Sequence, residues 1–299
     1  MNRDDRDWVR FPDLAGKVAL VTGGSRGIGA ATCRALAANG ALVAVNGRER
    51  EAIDAVVHSI VATGGQALGV ACDVTDPEAI RDMRGRIERE LGVVQILAPF
   101  AGGQGRPVAT VDIGADLWRA VLDSDLTSVY LTTAAFLPGM IERGEGSIVM
   151  ISSTAGRQPS SANAAYAAAK AGVVMLSKHL ANEVGRQGVR VNCIAPSAVL
   201  NDRMQHHMSA EQLEQLAQAF PLGRIGQPAD IAQAVLFLAS SASSWITGGH
   251  PRRDWRPGDH VARRCRVNPR GGDRGAQGGS ISDPSRTIDI RLLRQGAIG

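Results

Sequence analysis

The chain has 299 residues, 44% of them apolar, enough to bury a full core of Ala, Val, Leu and Ile in one large domain or two small ones. No apolar run approaches the ~20 residues of a membrane span, and the N-terminal MNRDDRDWVRFPD lacks the apolar stretch of a secretory signal, so a cytoplasmic protein is expected. The net charge of +4 is uneven: residues 250–299 hold 11 Arg and 5 Asp, which leaves residues 1–249 mildly acidic and without the basic, aromatic-interleaved helix of a nucleic-acid binder.

From Lys17 onward, short β-branched apolar runs alternate with longer helical patterns. KVALVT (17–22) reads as a strand and is followed by a helix over 27–39; ALVAVN (41–46) and QALGVAC (66–72) repeat the pattern, with helices near 49–63 and 77–91. VVQILA (93–98) precedes long helical stretches around 115–142. SIVMIS (147–152) leads to a helix over 161–185, and VRVNCIA (189–195) is the sixth strand. Near-continuous apolar strands mean that both sheet faces are covered, the pattern of a parallel sheet with helices on each side. Right-handed crossovers then give a doubly wound α/β domain with its ligand site at the carboxyl ends of the strands. Residues 197–225 read as a loop-plus-helix excursion over that edge, and a helix over 228–240 starts at Pro228. Residues 1–12 read as a flexible N-terminus. Residues 250–299, dense in Arg, Gly and Pro and without a period of 2 or 3.6, read as disordered. Cys33, Cys72, Cys193 and Cys265 are scattered without C-x-x-C spacing, so reduced, buried thiols and no metal site are expected. His206 and His207 read as exposed polar residues of a lid, and Trp118 and the other tryptophans as packing residues.

Three groups carry chemistry. The first is TGGSRGIG at residues 22–29, between a strand and a helix. Gly23 and Gly27 permit a tight turn and close approach of backbone to a pyrophosphate, Gly29 lets helix pack on strand, and the helix N-terminus offers N–H donors to phosphate. The second lies where the second strand ends in VAVNGRER: in place of the carboxylate that takes the ribose hydroxyls of NAD stand Asn46, Gly47 and Arg48, with Arg26 inside the glycine turn. Two guanidiniums suit a 2′-phosphate, so NADP is expected ahead of NAD. Asp73, closing the third strand, is placed for the adenine amino group, while Asp76 before Pro77 reads as a helix N-cap.

The third group is Ser153, Tyr166 and Lys170. Tyr166 and Lys170, at i and i+4 in AAYAAAKAG, share a helix face. A neighbouring ammonium favours the phenolate and should lower the tyrosine pKa from its usual value of about 10. Tyr166 then serves as general acid or base, Lys170 also holds the nicotinamide ribose, and Ser153 steadies the substrate oxygen.

These motifs, together with PLGRIGQPADIAQAVLFLAS, resemble the short-chain dehydrogenase/reductase family over residues 13–249, in look most like its 3-oxoacyl-(acyl-carrier-protein) reductases. The resemblance implies a Rossmann-type single domain, carbonyl–alcohol interconversion on a small-molecule or acyl-carrier-linked substrate, and a homo-oligomer, usually a tetramer. It implies cofactor contacts from Gly23, Ser25, Arg26, Gly27, Ile28, Gly29, Arg48, Asp73, Val74, Ala101, Gly102, Tyr166, Lys170, Pro196 and Val199. Alcohol or sugar oxidation by the same family, or a catalytically impaired nucleotide-binding protein, are the alternatives. The three-residue gap between Tyr166 and Lys170 argues against the enoyl-reductase branch.

Four departures from the family pattern stand out. Pro99-Phe100-Ala101-Gly102 replaces N-N-A-G, and Pro196-Ser197-Ala198-Val199 replaces P-G-x-V. Asp125 stands where the family has a fourth catalytic residue, an asparagine; its backbone carbonyl is expected to hold a relay water, and its carboxylate to alter the Tyr166/Lys170 balance. After WITGG the family continues into a last strand, here missing or replaced by HPRRDWRPGDHV. Back-translated with CGN arginine codons and read one base later, that segment allows Leu-Asp-Val-Thr-Gly-Gly, so 250–299 reads as an out-of-frame tail, the alternative being a natural lineage-specific one.

Overall fold

The computed structural model describes residues 8–103 and 105–248. Six parallel strands form a single sheet in the order β3-β2-β1-β4-β5-β6: β1 (Val18–Thr22), β2 (Leu42–Gly47), β3 (Gln66–Ala71), β4 (Ile96–Pro99), β5 (Gly146–Ile151) and β6 (Val189–Ile194). The order reverses at β1, whose Ala19 lies beside Val43 of β2 on one side and Ile96 of β4 on the other. That reversal opens a crevice at the carboxyl ends of β1 and β4, where doubly wound sheets bind ligands.

Alternation within the strands sorts side chains into two cores. Ala19 and Val21 face one layer with helices α1 (Gly27–Ala38), α2 (Arg50–Ala62) and α9 (Pro228–Ala239). Val18 and Leu20 face the other layer, with α3 (Pro77–Glu90), α5 (Ser128–Arg143) and α6 (Ala164–Val184). Every residue of β1 and β5 is buried, as the continuous apolar runs require.

Helix ends follow the capping residues. Asp76 accepts from the Glu78 and Ala79 amides at 2.8 and 3.4 Å, with Pro77 opening α3. The helical stretch expected over 115–142 divides into α4 (Ala115–Leu122), one π-helical turn (Asp123–Thr127) and α5. The expected excursion contains two helices, α7 (Asp202–His207) and α8 (Ala210–Gln218), the second opened by a reciprocal Ser209–Gln212 capping box. Strand β4 begins at Ile96 rather than at 93; Val94 is buried but not paired, so burial runs ahead of the ladder.

Beyond α9 the chain returns to β6. Asn192 Nδ2 donates to the Ile246 carbonyl at 2.9 Å, and the Gly248 amide donates to the Val191 carbonyl at 2.8 Å. The expected tail, the last-strand replacement and Cys265 lie outside the described residues. Of the other cysteines, Cys33 is buried, but Cys72 and Cys193 are only half-buried. Trp8 is buried; Trp118 is 39% and Trp245 98% exposed, so neither packs as expected. No helix among the described residues is long and apolar enough to cross a membrane.

Candidate active site

The glycine turn joins β1 to α1. A methyl at Gly29 would stand 2.1 Å from the Gly23 carbonyl oxygen, so helix and turn are in backbone contact there. Gly27, at φ +50°, has nothing within 4 Å of its missing side chain. The turn therefore packs tightly at Gly29 and stays open at Gly27, on the side of the unpaired first-turn amides of α1. Thr22 Oγ1 accepts from the Ala101 amide at 3.1 Å and fixes the turn to the end of β4. This arrangement fits a dinucleotide pyrophosphate.

The adenosine end is more mixed. Arg26 is ion-paired with Glu49, and both side chains are more than half exposed. Asn46 is buried and donates to the carbonyls of Val70 and Cys72 at 3.1 and 3.2 Å, which makes it a bolt between β2 and β3 and not a ligand group. Arg48 and Asp73 both stand exposed, at the ends of β2 and β3. The Thr75 amide and hydroxyl hold the Asp73 carboxyl below the usual carboxylate range, against a smaller effect of burial and with help from the Arg48 charge.

At the other end of the crevice, β5 delivers Ser152 and Ser153. Ser152 Oγ donates to the Lys170 carbonyl at 2.7 Å, and Ser153 Oγ accepts from the Ala155 amide at 3.2 Å. Asn163 caps α6, accepting from the Tyr166 amide at 2.8 Å, while its Nδ2 donates to the Arg106 carbonyl at 2.9 Å. One turn later, Lys170 Nζ lies 5.5 Å from the centre of the Tyr166 ring.

Lys170 is buried and pairs with Asp125 at 3.2 Å. Asp125, fully buried in the π-helical turn, also accepts from the Gly103 amide and from Ser124 Oγ, both at 2.7 Å. Its carboxylate thus reaches Lys170, the partner through which the sequence expected it to act. The expected depression of the Tyr166 phenol is reversed: its pKa is raised by burial first and by the Asp125 charge second, with the Ser153 hydroxyl opposing. Lys170 cannot act on Tyr166 as an isolated cation because its charge has a partner.

These groups line one cavity of about 630 Å³ that runs from Gly23, Arg26, Gly27, Ile28 and Gly29 past Gly102 to Ser153, Tyr166 and Lys170, and on under Pro196, Val199, Leu200 and Met204. Of the residues expected from the sequence, Ser25, Arg48, Asp73, Val74, Ala101 and Asp125 are not on its wall. Val74 is buried in the second core, and Ser25 faces a neighbouring groove between α1, α8 and α9. Sequence reasoning missed Phe100, Ile151 and Ser152 on the wall. It also missed Asn163, which the N-cap pattern ahead of AAYAAAK could have shown. Gly105 touches the Tyr166 ring: a methyl there would be 3.1 Å from Cε1. His206 and His207 are exposed on α7, and no metal-ligating cluster occurs among the described residues.

Comparison with known proteins agrees with this architecture. The short chain dehydrogenase family model matches residues 17–212. A 3-oxoacyl-[acyl-carrier-protein] reductase of Synechocystis sp. is 38% identical over 237 residues, covering 79% of this chain and 94% of that protein. A 2,5-dichloro-2,5-cyclohexadiene-1,4-diol dehydrogenase of Sphingobium indicum is 37% identical over 235 residues, 79% of this chain and 93% of its own length. The crystal structure of a short-chain type dehydrogenase/reductase from Mycobacterium marinum superposes with a TM-score of 0.74 at 34% identity, covering 80% of this chain and 94% of that one. Family membership implies a nicotinamide cofactor. The chain belongs to the short-chain dehydrogenases and is an oxidoreductase of that family.

Proposed function

We propose that residues 13–249 form an NADP(H)-dependent reductase that converts a ketone, in the first instance a 3-oxoacyl thioester, to its alcohol. The observation that carries this reading is the convergence of Ser153, Tyr166 and Lys170 on a cavity that begins at the glycine turn. Gly23, Gly27 and Gly29 with the α1 amides would hold the pyrophosphate, and Arg26 and Arg48 the 2′-phosphate. When bound, the dinucleotide supplies the hydride. Tyr166 donates its phenolic proton to the carbonyl oxygen, and the Ser153 hydroxyl donates a hydrogen bond to the same oxygen. Lys170 reaches the ribose side of the cavity. A phenol held above its ordinary pKa is protonated at neutral pH and ready to donate.

Alcohol oxidation is the second reading, favoured by the similarity to the diol dehydrogenase. The test is turnover of a panel of 3-oxoacyl thioesters, ketones and alcohols with NADPH, NADH and their oxidised forms. Tyr166→Phe should cut turnover by about 100-fold or more and leave NADPH binding intact; undiminished activity would refute the assignment. A homo-oligomer belongs to the same proposal, supported by exposed Leu117, Trp118, Tyr130 and Met175 on α4, α5 and α6, and is checked by sedimentation.

A further inference from the structure

Asp125 is a carboxylate with no exposure, placed beside the only lysine that reaches the proposed proton donor. Its Oδ1 lies 3.2 Å from Lys170 Nζ and accepts from the Gly103 amide, and its Oδ2 accepts from Ser124 Oγ. A methyl at Gly102 would come within 2.5 Å of Oδ1, so the loop after β4 closes directly onto the carboxylate. Lys170 Nζ also makes a long contact of 3.5 Å to the Ile151 carbonyl and lies 5.5 Å from the centre of the Tyr166 ring. In so buried a position each charge acts on its neighbours with little solvent screening.

We propose that Asp125 is a positioning residue for proton transfer: paired with Lys170 and bonded to the loop carrying Gly102 and Gly103, it offsets the ammonium's attraction for a phenolate at Tyr166 and biases the site toward giving up a proton, the step of carbonyl reduction. Among the described residues, the other groups around Tyr166 do not supply this effect. The Ser153 hydroxyl is neutral, and burial pushes the Cys193 thiol up to about 11, so it is neutral at neutral pH. Arg26 and Asp202 lie elsewhere along the cavity wall and carry opposite charges, while Arg106 and Arg157 on flanking loops are exposed. Removing the Asp125 charge takes a repulsion away from the phenolate, and a Lys170→Met background isolates that effect from the ammonium's own attraction.

The chain has two tyrosines, which makes a direct test possible. Tyr130 is exposed on α5, away from the cavity, so Tyr130→Phe leaves Tyr166 as the sole source of a tyrosinate absorbance titration. In that background Asp125→Asn should lower the Tyr166 midpoint by about one pH unit, a roughly tenfold rise in phenolate fraction at any pH well below it. Asp125→Asn should move the midpoint in the same direction when added to Lys170→Met. That double variant, with both buried charges gone, gives the answer if the single substitution does not fold. A midpoint unmoved or raised in the folded variants overturns the proposal. The inference rests on Tyr166 as proton donor, and the two fail separately. A Tyr166→Phe enzyme that still turns over sinks the proposed function. A dead Tyr166→Phe with an unmoved Asp125→Asn titration sinks only this inference.

Discussion

A methyl group added at Gly29 would stand 2.1 Å from the Gly23 carbonyl oxygen and 2.7 Å from its carbon. Both atoms are backbone, fixed between β1 and α1, so relief requires the helix to lift off the turn by roughly 1 Å, a cost of about 3 kcal/mol by analogy with overpacked cores. At ~2–4 °C per kcal/mol for a domain of this size, Gly29→Ala should lower the melting temperature by about 6–12 °C. Gly27→Ala is the internal control. Its methyl meets nothing within 4 Å, so only the φ of +50° is penalised, at about 1 kcal/mol, or ~2–4 °C. With NADPH at 100 times its Kd, the parent should gain about 2.7 kcal/mol of stability. Gly27→Ala should lose most of that gain, because its methyl occupies the face expected to meet phosphate. Thermal unfolding with and without NADPH reads both effects. A Gly29→Ala protein that melts with the parent would refute the packing argument, and a full NADPH gain in Gly27→Ala would refute the phosphate argument.

Other expectations follow from individual contacts. Arg48→Ala should weaken NADPH about tenfold and leave NADH unchanged, the loss of one charge-assisted phosphate contact, measured by fluorescence titration; equal losses for both would remove the 2′-phosphate assignment. Glu49→Gln releases Arg26 from its ion pair and should tighten NADPH relative to NADH in the same titration. Asn163→Ala removes the α6 cap and the tie to Arg106. It should cost about 1–2 kcal/mol in denaturant unfolding and lower kcat as Tyr166 loosens. Lys17, then burial in opposition, then Gln95 and Arg143 act on Glu145, whose pKa is lowered on balance. A depressed folded-state value means stability present above the unfolded pKa and lost as pH falls, so Glu145→Gln should flatten the unfolding curve between about pH 5 and pH 3.

Much of this was legible in the sequence because it is local. Strand runs, Asp76 before Pro77, and the glycine turn between strand and helix each depend on neighbours within a few residues. What escaped depends on partners far along the chain. The i, i+4 spacing of Tyr166 and Lys170 placed them on one face correctly, yet the inferred fall in the phenol pKa failed, because burial of the ring raises it first and Asp125, 45 residues before Lys170 and on another element, raises it second. A helical period also cannot distinguish the π-helical turn at Asp123–Thr127 from regular helix, although that turn is what buries Asp125. Val93 and Val94 extended the apparent β4 because periodicity reports which side chains are covered and not which backbone groups pair.

The bolt formed by Asn46 limits how nucleotide choice could be redesigned. Installing an aspartate there, the usual route to an NAD-preferring site, would turn a carboxylate onto two main-chain oxygens that now receive N–H groups, and the seam between the second and third strands would come unfastened. The solvent-facing positions 26, 48 and 49 carry no such structural duty. Substitutions meant to alter the proposed preference for NADP should begin there and leave the amide in place.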